Sequence, residues 1–178
     1  PPRDLESQQA IWDGLIDGTF DIFSSDHCPF RFKDSKGKDR PGARTSFKWV
    51  PNGIPGVETR LPILFSEGVR KNRISLERFV ELTSTNPAKM YGLYPQKGSI
   101  RVGSDADITI WDPNKKNKIE QINLSHGSDY TPYEGLDITG WPIQTWLRGN
   151  KIYDQNAFVV DENLGIYISR DFCMLWSK

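Results

Sequence analysis

At 178 residues the chain is long enough to bury a core, as one domain or as two small ones. Its 23 Lys plus Arg balance 23 Asp plus Glu, and a formal net charge of zero argues against a nucleic-acid binder held by phosphate contacts. No apolar run reaches membrane-spanning length, nothing at the start reads as a signal peptide, and the sparse cysteines, Cys28 and Cys173, fit a reducing cytoplasm better than a disulfide or a metal spacing.

Asp4 or Ser7 caps a predicted helix that runs to about Asp17 and ends at Gly18. Its buried stripe is expected to be Ala10, Ile11, Leu15 and Trp12. The apolar run of residues 19–23 then reads as a buried strand. It leads into Ser24-Ser25-Asp26-His27-Cys28-Pro29-Phe30, where the strand stops and a polar loop over 31–44 begins. Parallel α/β folds keep their chemistry at such points, because the strand fixes a side chain that the loop leaves accessible. Asp26 beside His27 reads as a metal ligand or general base. It reads equally as a turn cap made by its own carboxylate.

The loop charges read as a solvated excursion, although loops of this length often cover sites. Residues 50–58 carry two prolines and two glycines and form a tight, preset turn around Asn52-Gly53. A helix follows over 59–71, with Leu61, Leu64, Phe65 and Val69 on one face. A second starts at Ser75 and carries Leu76, Phe79 and Val80. A third is announced by Asn86-Pro87, as cap and first-turn proline, and stopped by Gly92. From about Leu93 the pattern turns to β. Residues 97–113 read as two short strands around a Gly-Ser-Asp turn, closed by Pro113. Residues 115–118 read as a charged loop tip, and 142–153 as a hairpin turning at Gly149-Asn150. The boundary between the α/β and β parts is placed near Tyr94, giving units of 1–93 and 94–178.

Taken in order, Ser24-Ser25-Asp26-His27, Pro51-Asn52-Gly53 with Glu58-x-Arg60-Leu61, Thr85-Asn86-Pro87-Ala88-Lys89-Met90-Tyr91-Gly92-Leu93, and the glycine-rich stretch from Gly98 to Ile110 resemble the cyclic amidohydrolases. Within them the chain is most similar to the D-hydantoinase and dihydropyrimidinase branch. The resemblance covers nearly the whole chain and is weakest after about Val159. The glycine-rich stretch alone marks only the superfamily, whereas Pro51-Asn52-Gly53 and Glu58-x-Arg60 are more selective.

The resemblance implies that residues 1–93 are the last part of an amidohydrolase (β/α)8 barrel, and that 94–178 hold the C-terminal part of a small β-sandwich and a tail. It implies hydrolysis of the ring amide of dihydropyrimidines or hydantoins to N-carbamoyl amino acids. Asp26 would be both a metal ligand and the catalytic base, and Asn52 would bind the ring imide through its backbone. It also implies two zinc ions per site, bridged by a carboxylated lysine upstream of this region, and a cytoplasmic homotetramer. Rival readings are a non-catalytic dihydropyrimidinase-like scaffold, and an enzyme acting on another cyclic amide such as allantoin. His27 is expected to be a loop residue rather than a ligand, His126 structural, and Cys28 a packed thiol. Phe30 departs from the dihydroorotase pattern, which has a histidine there. With only two histidines, the chain is expected to be the C-terminal part of a longer enzyme, inactive and poorly ordered alone.

Overall fold

The computed structural model describes residues 3–159 and 164–175; Pro1, Pro2 and part of the tail after Val159 lie outside them. Helix α1 spans Leu5–Asp17. The Asp4 carboxylate accepts from the Ser7 amide at 2.8 Å, and Gly18 closes the helix at φ 93°, as its sequence requires. The expected stripe is narrower than predicted. Leu15 is buried and Trp12 half-buried, but Ala10 and Ile11 face solvent. The reason is that α1 meets the rest of the chain along one edge only, where Gly14 lets the Phe20 ring approach closely.

Thr19 is a bend and residues 20–25 are irregular, with no ladder, which corrects the predicted strand. A strand is defined by backbone partners, and among the described residues none lies alongside. Helical groups take those polar atoms instead. The Phe23 amide donates to the Leu82 carbonyl at 2.9 Å, Asn86 Nδ2 to Asp21 O at 2.9 Å, and Arg78 to Phe20 O at 2.9 Å. Arg60 donates to Phe23 O. Every one of these bonds fixes the segment that ends in Asp26.

Helix α2, Val57–Leu64, runs on through a wide π turn at Phe65–Val69. Helix α3, Leu76–Val80, is capped by Ser75 Oγ on the Arg78 amide. It continues through a second wide turn, Glu81–Thr85, into α4, Asn86–Met90. Asn86-Pro87 therefore does not start a new helix. Asn86 is itself helical at φ −68°, and the wide turn before Pro87 absorbs the clash and the missing amide that a proline brings. Gly92 ends the run at φ 65°. Phe79 and Leu82 face inward, whereas Leu76 and Val80 are exposed.

The four strands form one antiparallel sheet in the order β1-β2-β3-β4: Ile108–Lys118, Asp137–Leu147, Asn150–Asp154 and Ala157–Phe158. Several expectations are corrected here. Residues 97–107 are irregular rather than a first strand. The stretch 115–118 belongs to β1, with Lys116 opposite Thr139 and Lys118 opposite Asp137. Strand β1 passes through Pro113 by a bulge, at which Asp112 Oδ1 accepts from the Asn114 and Lys115 amides. The β2–β3 hairpin turns at Arg148-Gly149, one residue earlier than expected, with φ 46° and 80°.

Helices and sheet share their cores. Phe65 stacks on Trp111 of β1 at 4.9 Å, and Phe79 meets both rings edge-on at 5.5 and 5.6 Å. A second cluster of Ile119, Ile138 and Trp141 takes Ile63 from α2. Gly140 has no side chain because the Phe65 ring occupies that space.

Candidate active site

The segment held by these bonds to the helices delivers Asp26 to the lip of a cavity of about 290 Å³. The cavity is lined by Ser24, Ser25, Asp26 and His27 on one side and by Pro55, Gly56 and Arg60 on the other. Asp26 is exposed. Among the described residues its carboxylate makes no hydrogen bond or ion pair, so the turn-cap reading fails and the group is open to a ligand.

Beyond Asp26 the chain pairs briefly with the turn that follows Asn52. His27 and Ile54 form a parallel bridge, and the Cys28 amide donates to Ile54 O at 3.1 Å. This brings the two sequence-predicted site residues onto adjacent segments. Asn52 is exposed and does not itself line the cavity. Among the described residues neither its amide nor its carbonyl is hydrogen-bonded. Gly53 is required beside it. Its φ is 89°, and a Cβ there would lie 2.3 Å from Cys28 Cβ. Cys28 is thus packed beneath the turn as a free thiol, and Cys173 is also free.

His27 Nδ1 accepts from the amides of Gly56 and Val57 at 3.0 and 3.2 Å. His126 approaches it with ring centroids 6.2 Å apart and accepts from the Ser128 amide at 3.2 Å. Its Nε2 is buried without a described partner. Phe30 is partly exposed. Its carbonyl accepts from Ser128 Oγ. The polar loop after it is clasped at its root, where the Asp129 carboxylate accepts from the amides of Phe32 and Lys33. Those two bonds hold the Asp129 carboxyl below the usual carboxylate range. Lys38 reaches the Pro51 carbonyl at 2.7 Å, tying the loop to the Asn52 turn.

Arg60 and Tyr133 line the cavity without having been assigned a role from the sequence. Burial pushes the Arg60 guanidinium below the usual arginine value, and its Nε lacks a described partner. The available signal was an arginine inside a helix with no acidic residue three or four positions away.

Among the described residues no three His, Cys, Asp or Glu side chains come together as a metal site. The donor set of the described residues therefore does not build a metal centre alone. Asp26 is a single open carboxylate with the chemistry to contribute one ligand.

Residues 5–152 match the amidohydrolase family. Over 170 residues the chain is 43% identical to a D-hydantoinase of Ralstonia pickettii, covering 96% of this chain and 36% of that protein. It is 41% identical over 174 residues to a D-phenylhydantoinase of Escherichia coli O1:K1, again covering 96% and 36%. The solved D-hydantoinase of Bacillus sp. AR9 superposes with a TM-score of 0.90 at 41% identity, covering 97% of this chain and 37% of that one. The chain thus spans little more than a third of the length of the curated relatives it matches.

Proposed function

The chain belongs to the amidohydrolase family, and from that premise we propose that it works as part of a longer enzyme that hydrolyses the ring amide of hydantoins or dihydropyrimidines. One observation carries this reading: an unpartnered carboxylate, Asp26, stands on a cavity lip held against a turn, Asn52-Gly53, whose own backbone groups are unused. In this role Asp26 accepts the proton of the water that attacks the ring carbonyl and returns it to the departing ring nitrogen. The Asn52 backbone pairs with the imide edge, which rejects rings lacking matched polar atoms because a buried unmatched edge is costly. The products are N-carbamoyl amino acids.

The two zinc ions and bridging carboxylated lysine implied by the resemblance need ligands from outside the described residues, with Asp26 as this chain's contribution. Residues before Tyr94 would then close a (β/α)8 barrel, and the sheet would belong to a small sandwich. Large exposed apolar side chains, among them Phe47, Ile100 and Phe172, support burial against further chain or in a homotetramer. The test is the complete protein, metal-replete, with hydantoin, dihydrouracil and allantoin as substrates. Ring opening of hydantoin or dihydrouracil supports the proposal. Turnover of allantoin alone moves the substrate class, and no turnover at all favours a non-catalytic scaffold.

A further inference from the structure

His27 does more than follow Asp26 in the chain. Its backbone bridges to Ile54, and its Nδ1 holds the amides of Gly56 and Val57. An imidazole nitrogen that accepts two N–H bonds carries no proton, so the ring proton sits on Nε2. That arrangement suits an acceptor role and not ligation, since a bound metal would have to displace the Nε2 proton while Nδ1 stays engaged. The two amides belong to the end of the Pro51–Val57 turn and the first residue of α2. Without the imidazole the part-buried Gly56 amide beside Asp26's cavity would lose its acceptor, which is costly for a buried donor, while the exposed Val57 amide would turn to water.

We propose that His27 is a positioning residue, whose Nδ1 fixes the Asn52 turn against the cavity of Asp26, so that ring binding depends on it more than proton transfer does. The proposal rests on the cyclic-amidase reading of the site. The test compares His27→Leu, which removes the acceptor, with His27→Asn, whose amide oxygen can take the place of Nδ1. In the complete protein, His27→Leu is expected to raise KM for hydantoin or dihydrouracil about tenfold, with kcat within about threefold. His27→Asn is expected to keep KM within about threefold of the parent. A fall in kcat with KM unmoved, equal damage from both variants, or no effect of either overturns the assignment.

A second readout does not need activity. Amide hydrogen exchange at Gly56 and Val57 is expected to speed about tenfold in His27→Leu and to return toward the parent rate in His27→Asn. Unchanged exchange in His27→Leu overturns the proposal whatever the kinetics. If no cyclic amide is hydrolysed, the functional reading fails while exchange still decides the role of His27. Should His27→Leu not accumulate as folded protein, His27→Ala serves as the acceptor-free variant in both measurements.

Discussion

Asp26→Asn separates function from folding more cleanly than any other change in this chain. Asparagine keeps the size of the side chain and one acceptor oxygen but removes the charge and the ability to take a proton. Asp26 is exposed and, among the described residues, supports no hydrogen bond or ion pair. An exposed substitution of that kind changes stability by no more than about 0.5 kcal/mol. That corresponds to a shift in melting temperature of about 1–2 °C for a chain of this size. Removing a general base, by contrast, costs about two to four decades in rate, or about 3–5 kcal/mol of barrier. The expected outcome is therefore a protein that melts nearly where the parent does and opens hydantoin or dihydrouracil at least about a hundredfold more slowly. The assays are ring opening followed by the loss of ring-amide absorbance, and thermal unfolding followed by circular dichroism. A rate loss below about tenfold would refute the base assignment. A fall in melting temperature well beyond the stated shift would show that Asp26 serves the fold.

Three further outcomes follow from the packing. Phe65→Ala breaks the stack on Trp111 and the edge contact with Phe79, and should cost about 3–5 kcal/mol in urea unfolding of the complete protein; a cost below about 1 kcal/mol would mean that helices and sheet do not depend on a common core. Gly53→Ala forces a Cβ toward Cys28 at a positive φ, so KM for the cyclic amide should rise with metal content unchanged; parallel loss of metal would make the turn structural. Asp129, held low by the Phe32 and Lys33 amides, clasps the loop above the ordinary aspartate value of about 3.9 and releases it as pH falls through its lower folded value. Pepsin cleavage within residues 31–48 should therefore accelerate at the acid end of a pH series, and Asp129→Asn should be cut fast throughout; identical profiles for the two proteins would refute the clasp.

What was legible in the sequence was local. The α1 cap and stop at Asp4 and Gly18, the Ser75 cap and the positive-φ turn at Gly53 all depend on neighbours within a few residues. What misled was structure set by distant partners. Residues 19–23 have strand composition, yet their polar groups are taken by Arg78, Leu82 and Asn86, about sixty residues away. Pro113 looked like an end, but Asp112 supplies acceptors for the amides that the bulge leaves over, and the strand goes on. Asp26 and Asn52 were visible as motif residues. The adjacency of their segments was not, because it rests on the Ile54 bridge and on the bonds from the Gly56 and Val57 amides to His27 Nδ1.

The two wide turns, Phe65–Val69 and Glu81–Thr85, bear on how the length of this chain can vary. In each, an amide reaches back five residues: Arg70 to Phe65, and Asn86 to Glu81. Such a turn is an α-helix holding one residue more than its pitch accommodates. Removing that residue would tighten the turn into an ordinary α-helical one. For the second turn, that would set the Pro87 ring against the carbonyl four residues back and strain the turn that carries Asn86, the donor to the Asp21 carbonyl. A single deletion there would thus disturb the segment that presents Asp26 more than most substitutions on the same helix. The count of residues between Ser75 and Gly92 is constrained more tightly than their identity.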